Sequence, residues 1–391
     1  MARYDVAVSG GGPAGAFAAL LCARKGLRTA LIERAQVPRV KCCAGGVLER
    51  SLRLIDKSLP GSVAEKDIFG TALIHGSRSF EFRSKERVAV TVQRERFDQF
   101  IVDLALAEGC MFLESTEVRK VTETGSGVEL LTSSGVVEAR GMVIAEGATS
   151  RSAQQLLGPR PPGCMGIGMA AHCEFEEDPG DLLEFHLTER PEMPFLAGHS
   201  LDGWMFPHQR GGNVGVAGRG ASTEHLQRFL NEVVGDLARR RGVRTVGKVR
   251  AHPIPVLPRP RLSSQCSVAV GDAAGLASPM TGEGISYGLQ SAVVAAECMD
   301  ALINRPGYDL RSFDRRMRAE VLPMLRAARW VGTGLQSLSS VVDVDTLLDK
   351  MRNEDRIIAS SIAMSTGDRP WTDLLARTIP RFPYLFFSSL R

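Results

Sequence analysis

Asp5-Val6-Ala7-Val8-Ser9-Gly10-Gly11-Gly12-Pro13-Ala14-Gly15 decides how the rest of this 391-residue chain is read. A short apolar run with a polar start has the pattern of a buried parallel strand. The glycines lead into Ala16 to Ala23, an apolar stretch of helical character, and Leu27 to Ile32 reads as a second strand that ends in the acid Glu33. This is G-x-G-x-x-G set between strand and helix, with an acid eighteen residues after Gly15. Gly10 permits the tight turn, Gly12 lets a pyrophosphate approach the backbone, and Gly15 lets helix and strand pack closely. The first turn of the helix offers free N–H groups and a partial positive charge to phosphates. Glu33 is placed to accept both hydroxyls of an adenosine ribose. A glycine-rich surface turn would explain the glycines alone; strand, helix and acid in sequence favour a dinucleotide site.

The length allows two or three packed units. Apolar residues make up 44% and charged residues 24%, ordinary values for a soluble globular protein, and a formal charge of +4 does not by itself imply nucleic acid. No basic segment with an apolar core precedes Tyr4, which leads us to expect a cytoplasmic chain without a signal peptide. No apolar run is long enough to span a bilayer, so membrane contact is expected to be peripheral, at the inner face. Eight cysteines in that setting read as free thiols, and without C-x-x-C neither a zinc site nor a dithiol motif is indicated.

After Glu33 the loop Lys41-Cys42-Cys43-Ala44-Gly45-Gly46 carries adjacent thiols and paired glycines, and a helix is expected from Val47 to Ile55. Alternation from residue 70 to 92 suggests a hairpin, and Phe97 to Ala107 has helical spacing. Further strands are read at Cys110–Leu113, Val118–Val121, Gly127–Leu131 and Val136–Ala139. Gly141 to Ala148 is a separate buried strand that ends in Glu146 and Gly147, and Ser267 to Val270 leads likewise into Gly271-Asp272-Ala273-Ala274-Gly275. Between them, from Gly163 to about Pro258, short alternating strands suggest a mostly antiparallel unit in which His172 and His186 are core or sheet residues. Pro279-Met280-Thr281-Gly282-Glu283-Gly284-Ile285 opens a helix to Leu302, and the chain from Pro306 reads as helical to its end, interrupted at Pro323.

The fingerprint, the Gly271–Gly275 segment and Glu146-Gly147 together resemble flavoprotein hydroxylases of the glutathione-reductase-like FAD fold. Two stretches narrow the resemblance to geranylgeranyl reductases. Residues 41–46 are similar to that family's K-x-C-G-G-G loop, and Gly271–Gly275 with Pro279–Ile285 are similar to its G-D-A-A-G…P-x-T-G-E-G-I. Gly203-Trp204-Met205-Phe206-Pro207 looks like its Y-x-W-x-F-P element, and Arg94-Glu95-Arg96-Phe97-Asp98 matches its R-x-x-F-D. The likeness covers residues 1 to about 305. It departs where Asp202 replaces the tyrosine of the aromatic element and where Glu146 replaces an aspartate.

The resemblance implies an α/β fold. A Rossmann-like FAD-binding domain with a parallel sheet would comprise residues 1–69, 92–155 and 260–305. A mostly antiparallel substrate domain would comprise 70–91 and 156–259, and a helical region 306–391. It implies FAD contacts at Gly10, Gly12, Pro13, Ala14, Gly15, Glu33, Arg34, Cys43, Ala44, Gly45, Arg94, Glu146, Gly147, Gly271, Asp272, Gly282, Gly284 and Ile285. Substrate contacts would fall at Trp204, Phe206, Pro279 and Thr281, although Trp204 and Phe206 read equally well as sheet core. Cys43 is the candidate catalytic residue, a neutral thiol able to donate a proton; a small apolar filler is the other reading. No metal is implied.

The expected activity is FAD-dependent saturation of isolated double bonds in a polyprenyl chain on a lipid or quinone, fed by an external reductant such as NADPH or ferredoxin. Two competing readings remain at this stage: a flavin monooxygenase or halogenase, and a non-catalytic flavin- and lipid-binding protein. No tryptophan stands in the W-x-W-x-I-P of flavin halogenases. The arginines from Arg311 to Arg329 read as a solvated face with ion pairs, against contact with anionic headgroups. The tail Phe382-Pro383-Tyr384-Leu385-Phe386-Phe387 either docks on a membrane or caps the core.

Overall fold

A computed structural model describes residues 3–187 and 201–339, together with residues 345 and 349. The aromatic tail at 382–387 lies outside these residues. In chain order, β1 (Arg3–Ser9), α1 (Pro13–Arg24) and β2 (Thr29–Ile32) form the opening unit. β3 (Gly46–Leu48) runs directly into α2 (Glu49–Ile55), so Val47 begins as strand, contrary to the expectation of helix. Next come β4 (Ala64–Ile68), β5 (Gly70–His75), β6 (Arg78–Arg83), β7 (Ala89–Val92), α3 (Arg94–Ala107) and β8 (Met111–Leu113). The meander β9 (Val118–Thr124), β10 (Gly127–Thr132) and β11 (Gly135–Ile144) leads to α4 (Arg151–Leu157). The next sheet supplies β12 (Met165–Phe175), β13 (Leu183–Leu187), β14 (Leu201–His208) and β15 (Gly211–Gly218). After α5 (Thr223–Arg241) come β16 (Val243–Val246), β17 (Arg250–Pro255) and β18 (Ser267–Ala269). The helices α6 (Gly271–Ala274), α7 (Ile285–Asn304), α8 (Arg311–Glu320) and α9 (Leu322–Ser339) follow.

The first sheet has the order β8-β2-β1-β11-β10-β9, with β18 also beside β11. β8, β2, β1, β11 and β18 are parallel, and β9 and β10 are antiparallel additions. The two strands expected at 136–139 and 141–148 are one strand. β11 pairs with β10 through Gly135–Ala139 and with β18 through Met142–Ile144, so its partner changes while the strand continues. α1 is buried by its alanines, Phe17 and Leu20, and packs between α3 and α7. Burying a side chain such as Phe17 or Leu20 contributes about 1.5–3 kcal/mol. α8 is tied to the same unit by buried Asp314, which accepts hydrogen bonds from the Leu262 N–H (2.9 Å) and from the Ser263 hydroxyl.

The second sheet has the order β16-β12-β15-β14-β13-β5-β6, with β17 also beside β12, and every pairing is antiparallel except β5 with β13. The hairpin expected over 70–92 therefore ends at Arg83. β7 departs to pair with β3 and β4 in a small sheet of its own. α5 covers one face of the second sheet with Leu226, Phe229, Leu230, Val233 and Leu237, spaced three and four apart. Strand alternation then sorts the side chains. Met205, Val214 and Val216 are buried against α5, which leaves Trp204, Phe206 and Asn213 for the opposite face. That face looks toward the first sheet. His186 is buried, whereas His172 is exposed.

Candidate active site

Between the two sheets lies one cavity of about 1260 Å³. Every residue for which the sequence suggests a cofactor or substrate contact lines it, except Gly15. Gly15 serves the turn instead: a Cβ there would stand 1.9 Å from the Gly10 carbonyl oxygen. Gly10 itself has φ +106, a left-handed conformation open to glycine.

At one end of the cavity, α1 begins at Gly12 with Pro13 in its first turn and no side chain capping its N–H groups. Gly12 leaves open space, since an added Cβ would meet only an Arg39 nitrogen, at 3.6 Å. Unfilled donors, a helix dipole and a gap the size of a side chain suit the pyrophosphate of a dinucleotide. Glu33 is buried beside them, accepting from the Gly11 N–H at 2.7 Å and the Ala35 N–H at 3.0 Å. One backbone donor on each oxygen leaves lone pairs for ribose hydroxyls. Glu146 is committed differently. Its carboxylate accepts from Ser9, Ser150 and Ser152 at the start of α4, so the side chain anchors local structure while its backbone borders the cavity.

The middle of the cavity is polar. Burial pushes the Asp272 carboxyl up, opposed by the charges of Lys41, Arg94 and Arg160. Burial and then Arg94 push the Lys41 ammonium down. Lys41 Nζ contacts His252 Nε2, and burial followed by the charges of Lys41, Arg94 and Arg34 lowers the imidazole to about 4, keeping it neutral at neutral pH. Although burial works against its charge, Arg94 is held above its usual range by Asp98 and by a hydrogen bond to Cys43. Asp98 is fully buried and also accepts from Arg39 at 2.9 Å. Cys42 points the other way, donating to the Arg250 carbonyl at 3.3 Å.

The far end is apolar. Trp204 donates to Asn213 Oδ1 at 2.9 Å and lies flat over Gly215, where a Cβ would meet the indole at 2.2 Å. Phe206 packs edge-on to Phe185, with ring centroids 5.6 Å apart, and covers Gly46 of the 41–46 loop. The loop from Pro279 to Gly284 closes another side. It is pinned by Ser278 N–H to the Glu283 carbonyl at 2.7 Å and by an ion pair of Glu283 with Arg50 at 2.5 Å.

Residues 3–202, just over half of the chain, match the family described as FAD binding domain. The chain belongs to that family. It is an FAD-dependent oxidoreductase. The flavoprotein is 29% identical over 320 residues to the menaquinone reductase of Mycolicibacterium smegmatis, with 76% of each chain covered. It is 28% identical over 312 residues to the geranylgeranyl diphosphate reductase of Rhodobacter capsulatus, covering 77% of this chain and 76% of that one. A solved geranylgeranyl bacteriochlorophyll reductase-like structure from Thermoplasma acidophilum superposes with a TM-score of 0.80 at 19% identity, over 96% of this chain and 98% of the other, and shares the fold. Among the described residues no helix is long and apolar enough to cross a membrane.

Several residues in or behind the wall of the flavoprotein's cavity escape a reading by motif. His252 sits in the irregular sequence His252-Pro253-Ile254-Pro255, and Arg50 pairs with Glu283 across more than two hundred residues. His208 is buried behind the 41–46 loop, its ring 5.3 Å from that of His172. Burial and then His172 lower it to about 4.

Two predictions follow from this geometry. Gly12→Val should fold, because its Cβ meets only a flexible arginine tip, yet lose at least nine-tenths of its bound flavin. Gly15→Val should fail to fold, because its Cβ overlaps backbone. Circular dichroism and flavin absorbance after gel filtration separate the two defects, and full flavin content in folded Gly12→Val would overturn the pyrophosphate assignment. For His208, the folded state holds the ring neutral well below its ordinary pKa. As pH falls from about 6.5 toward 4, the unfolded chain therefore takes up the proton first and stability is lost. His208→Asn should remove about 3 kcal/mol of that acid-induced loss, read from urea midpoints at neutral and acidic pH.

Proposed function

We propose that this flavoprotein saturates isolated double bonds of a polyprenyl chain carried by a lipid or a quinone. The observation that carries the reading is the continuity of the cavity. The uncapped start of α1 and the aromatic wall of Trp204, Phe206 and Phe185 border one space, with the 41–46 loop between them. A hydrocarbon chain laid along that wall would reach the cofactor without crossing water. The motif resemblance and the activities named for the Mycolicibacterium and Rhodobacter proteins support the same class. In this reading the second sheet, with β5 and β6, is the substrate unit and the first sheet is the FAD unit.

Reduced FAD supplies hydride when bound. The chain's own contribution is to hold the alkene, exclude water and deliver a proton. An isolated alkene has no carbonyl to accept developing charge, so the proton must come from a group placed beside the bond. Cys43 is the residue we assign to this step. The residue borders the cavity, and Arg94 is hydrogen-bonded to the thiol that would carry negative charge after the proton leaves. Gly282 and Gly284 keep the 279–284 loop slim enough to lie along a flat ring system.

The decisive assay is mass spectrometry of products after anaerobic incubation of the dithionite-reduced protein with geranylgeranyl lipids and with menaquinone. Each reduced bond adds two hydrogen atoms to the product. Reduced protein that leaves every polyprenyl compound unchanged, yet consumes dioxygen with a phenolic substrate, would overturn the assignment. Cys43→Ser should retain flavin and chemical reducibility but slow single-turnover reoxidation by the alkene about a hundredfold. Cys42→Ser, whose thiol is turned to the Arg250 carbonyl, should leave the rate unchanged. An unaltered rate in Cys43→Ser would return that thiol to a packing role.

A further inference from the structure

β17 changes character along its length. Alternate residues of a strand share a face, so Arg250, His252 and Ile254 look the same way, and all three border the cavity. Four residues of strand span about 13 Å. Ile254 belongs to the apolar end: a Cβ built on Gly168 would lie 3.0 Å from its Cδ1 and 3.7 Å from the Trp204 ring. His252 meets Lys41 in the middle. Arg250 is exposed at the other end, next to Cys42. Within one strand the wall passes from aliphatic to imidazole to guanidinium.

Charge is unevenly settled around this strand. Eight lysines and arginines border the cavity against five carboxylates. Arg39 and Arg94 share Asp98, Arg50 pairs with Glu283, and Arg151 lies 3.6 Å from Glu117. Arg34, Lys41 and Arg250 form no ion pair with any carboxylate among the described residues. They stand close enough to act on common groups: Lys41 and Arg34 both press on His252, and Lys41 and Arg250 both act on Cys42. Cations from the two sheets thus converge where the 41–46 loop meets β17; the Asp272 carboxyl acts on Lys41 from across the cavity but lies within ion-pair distance of none of the three.

We propose that Arg250, Lys41 and Arg34, grouped around His252, bind a phosphate or diphosphate monoester, holding the ionic head of an amphiphile whose hydrocarbon runs past Ile254 to Trp204. That the head belongs to the polyprenyl substrate rests on the functional reading above. The same chemistry is presented by the phosphates of a nicotinamide donor. The cofactor's own pyrophosphate has a separate place at the start of α1, whereas Arg250 belongs to the second sheet. A quinone head, being uncharged, would leave this rim unsatisfied.

The test is calorimetric titration of the FAD-loaded protein with geranylgeranyl diphosphate, geranylgeraniol, inorganic pyrophosphate and NADPH. Arg250→Gln should weaken geranylgeranyl diphosphate and pyrophosphate roughly tenfold, the worth of one charge-assisted contact, while geranylgeraniol binding and FAD content stay unchanged. Diphosphate affinity should fall as salt rises and alcohol affinity should not. If Arg250→Gln weakens NADPH but not geranylgeranyl diphosphate, the phosphate site stands and its source is the donor. If neither polyprenyl compound binds the wild type while pyrophosphate binds and Arg250→Gln weakens it, the polyprenyl reading fails and the anion site survives. Equal weakening of the diphosphate and the alcohol, unaltered binding of every phosphate compound, or no phosphate binding by the wild type would overturn the site.

Discussion

The molecule depends on a contact of backbone against backbone in which the Ala145 methyl is the sole side chain. The end of β1, the start of α1 and the end of β11 meet at Gly10, Gly15 and Ala145. An added Cβ on Gly10 would stand 2.3 Å from the Ala145 carbonyl, and one on Gly15 would stand 1.9 Å from the Gly10 carbonyl. Because nothing separates these segments, the first turn of α1 opens directly at the cavity with its N–H groups free. The Glu146 carboxylate then fastens the same junction, drawing Ser9 of β1 to the serines that begin α4. The end of the cavity proposed for the pyrophosphate is therefore preformed by packing, an arrangement that would reduce the ordering cost of binding.

A second constraint joins the two sheets. The 41–46 loop alternates its attachments: Lys41 reaches His252 and Cys42 reaches the Arg250 carbonyl, both on β17, while Cys43 faces Arg94 of α3. Gly46 then admits the edge of Phe206 from β14. One short loop thus sets the distance between the cofactor side and the aromatic wall. Its anchor on the cofactor side, the buried Asp98 shared by Arg94 and Arg39, is demanding. Removing the carboxylate would leave the buried Arg94 without an anion, Arg39 keeping Glu33 at 3.5 Å, a loss of about 3–5 kcal/mol.

Much of this was legible in sequence wherever a single segment carries its own explanation. The glycine fingerprint needs only β1, α1 and β2, which adjoin in the chain, and strand alternation marked the second sheet without knowledge of its partners. The misread elements are those whose state is set from a distance. Val47 is strand because β7 pairs with it, and β11 is one strand because β1 lies beside it through the point where β10 gives way to β18. The hairpin ended early because β7 finds its partners in β3 and β4. In the site the same rule holds. Motif residues gather in the cavity, whereas His252, His208 and Arg50 acquire their roles from contacts across more than a hundred residues, which no local spacing announces.

Arg50 and Glu283 show what such a long-range contact is for. Their ion pair is largely buried, beside the Tyr287 ring, and a buried pair of this kind offers little net stability over an apolar pair of similar volume. Its effect is on geometry. The loop from Ser278 to Gly284 contains Gly282 at φ +68 and two further small or flexible positions, so its backbone alone has many conformations of similar energy. A charged pair tolerates far fewer, because any departure leaves a guanidinium and a carboxylate desolvated without partners. Arg50 on α2 therefore selects one course for the loop. That course lays Gly282 along the cavity wall beside Ile254 and holds the Glu283 carboxylate back on Arg50. A carboxylate free of Arg50 would carry its charge across that wall unpaired, so the buried arginine fixes the shape of the cavity on the side of the 278–284 loop.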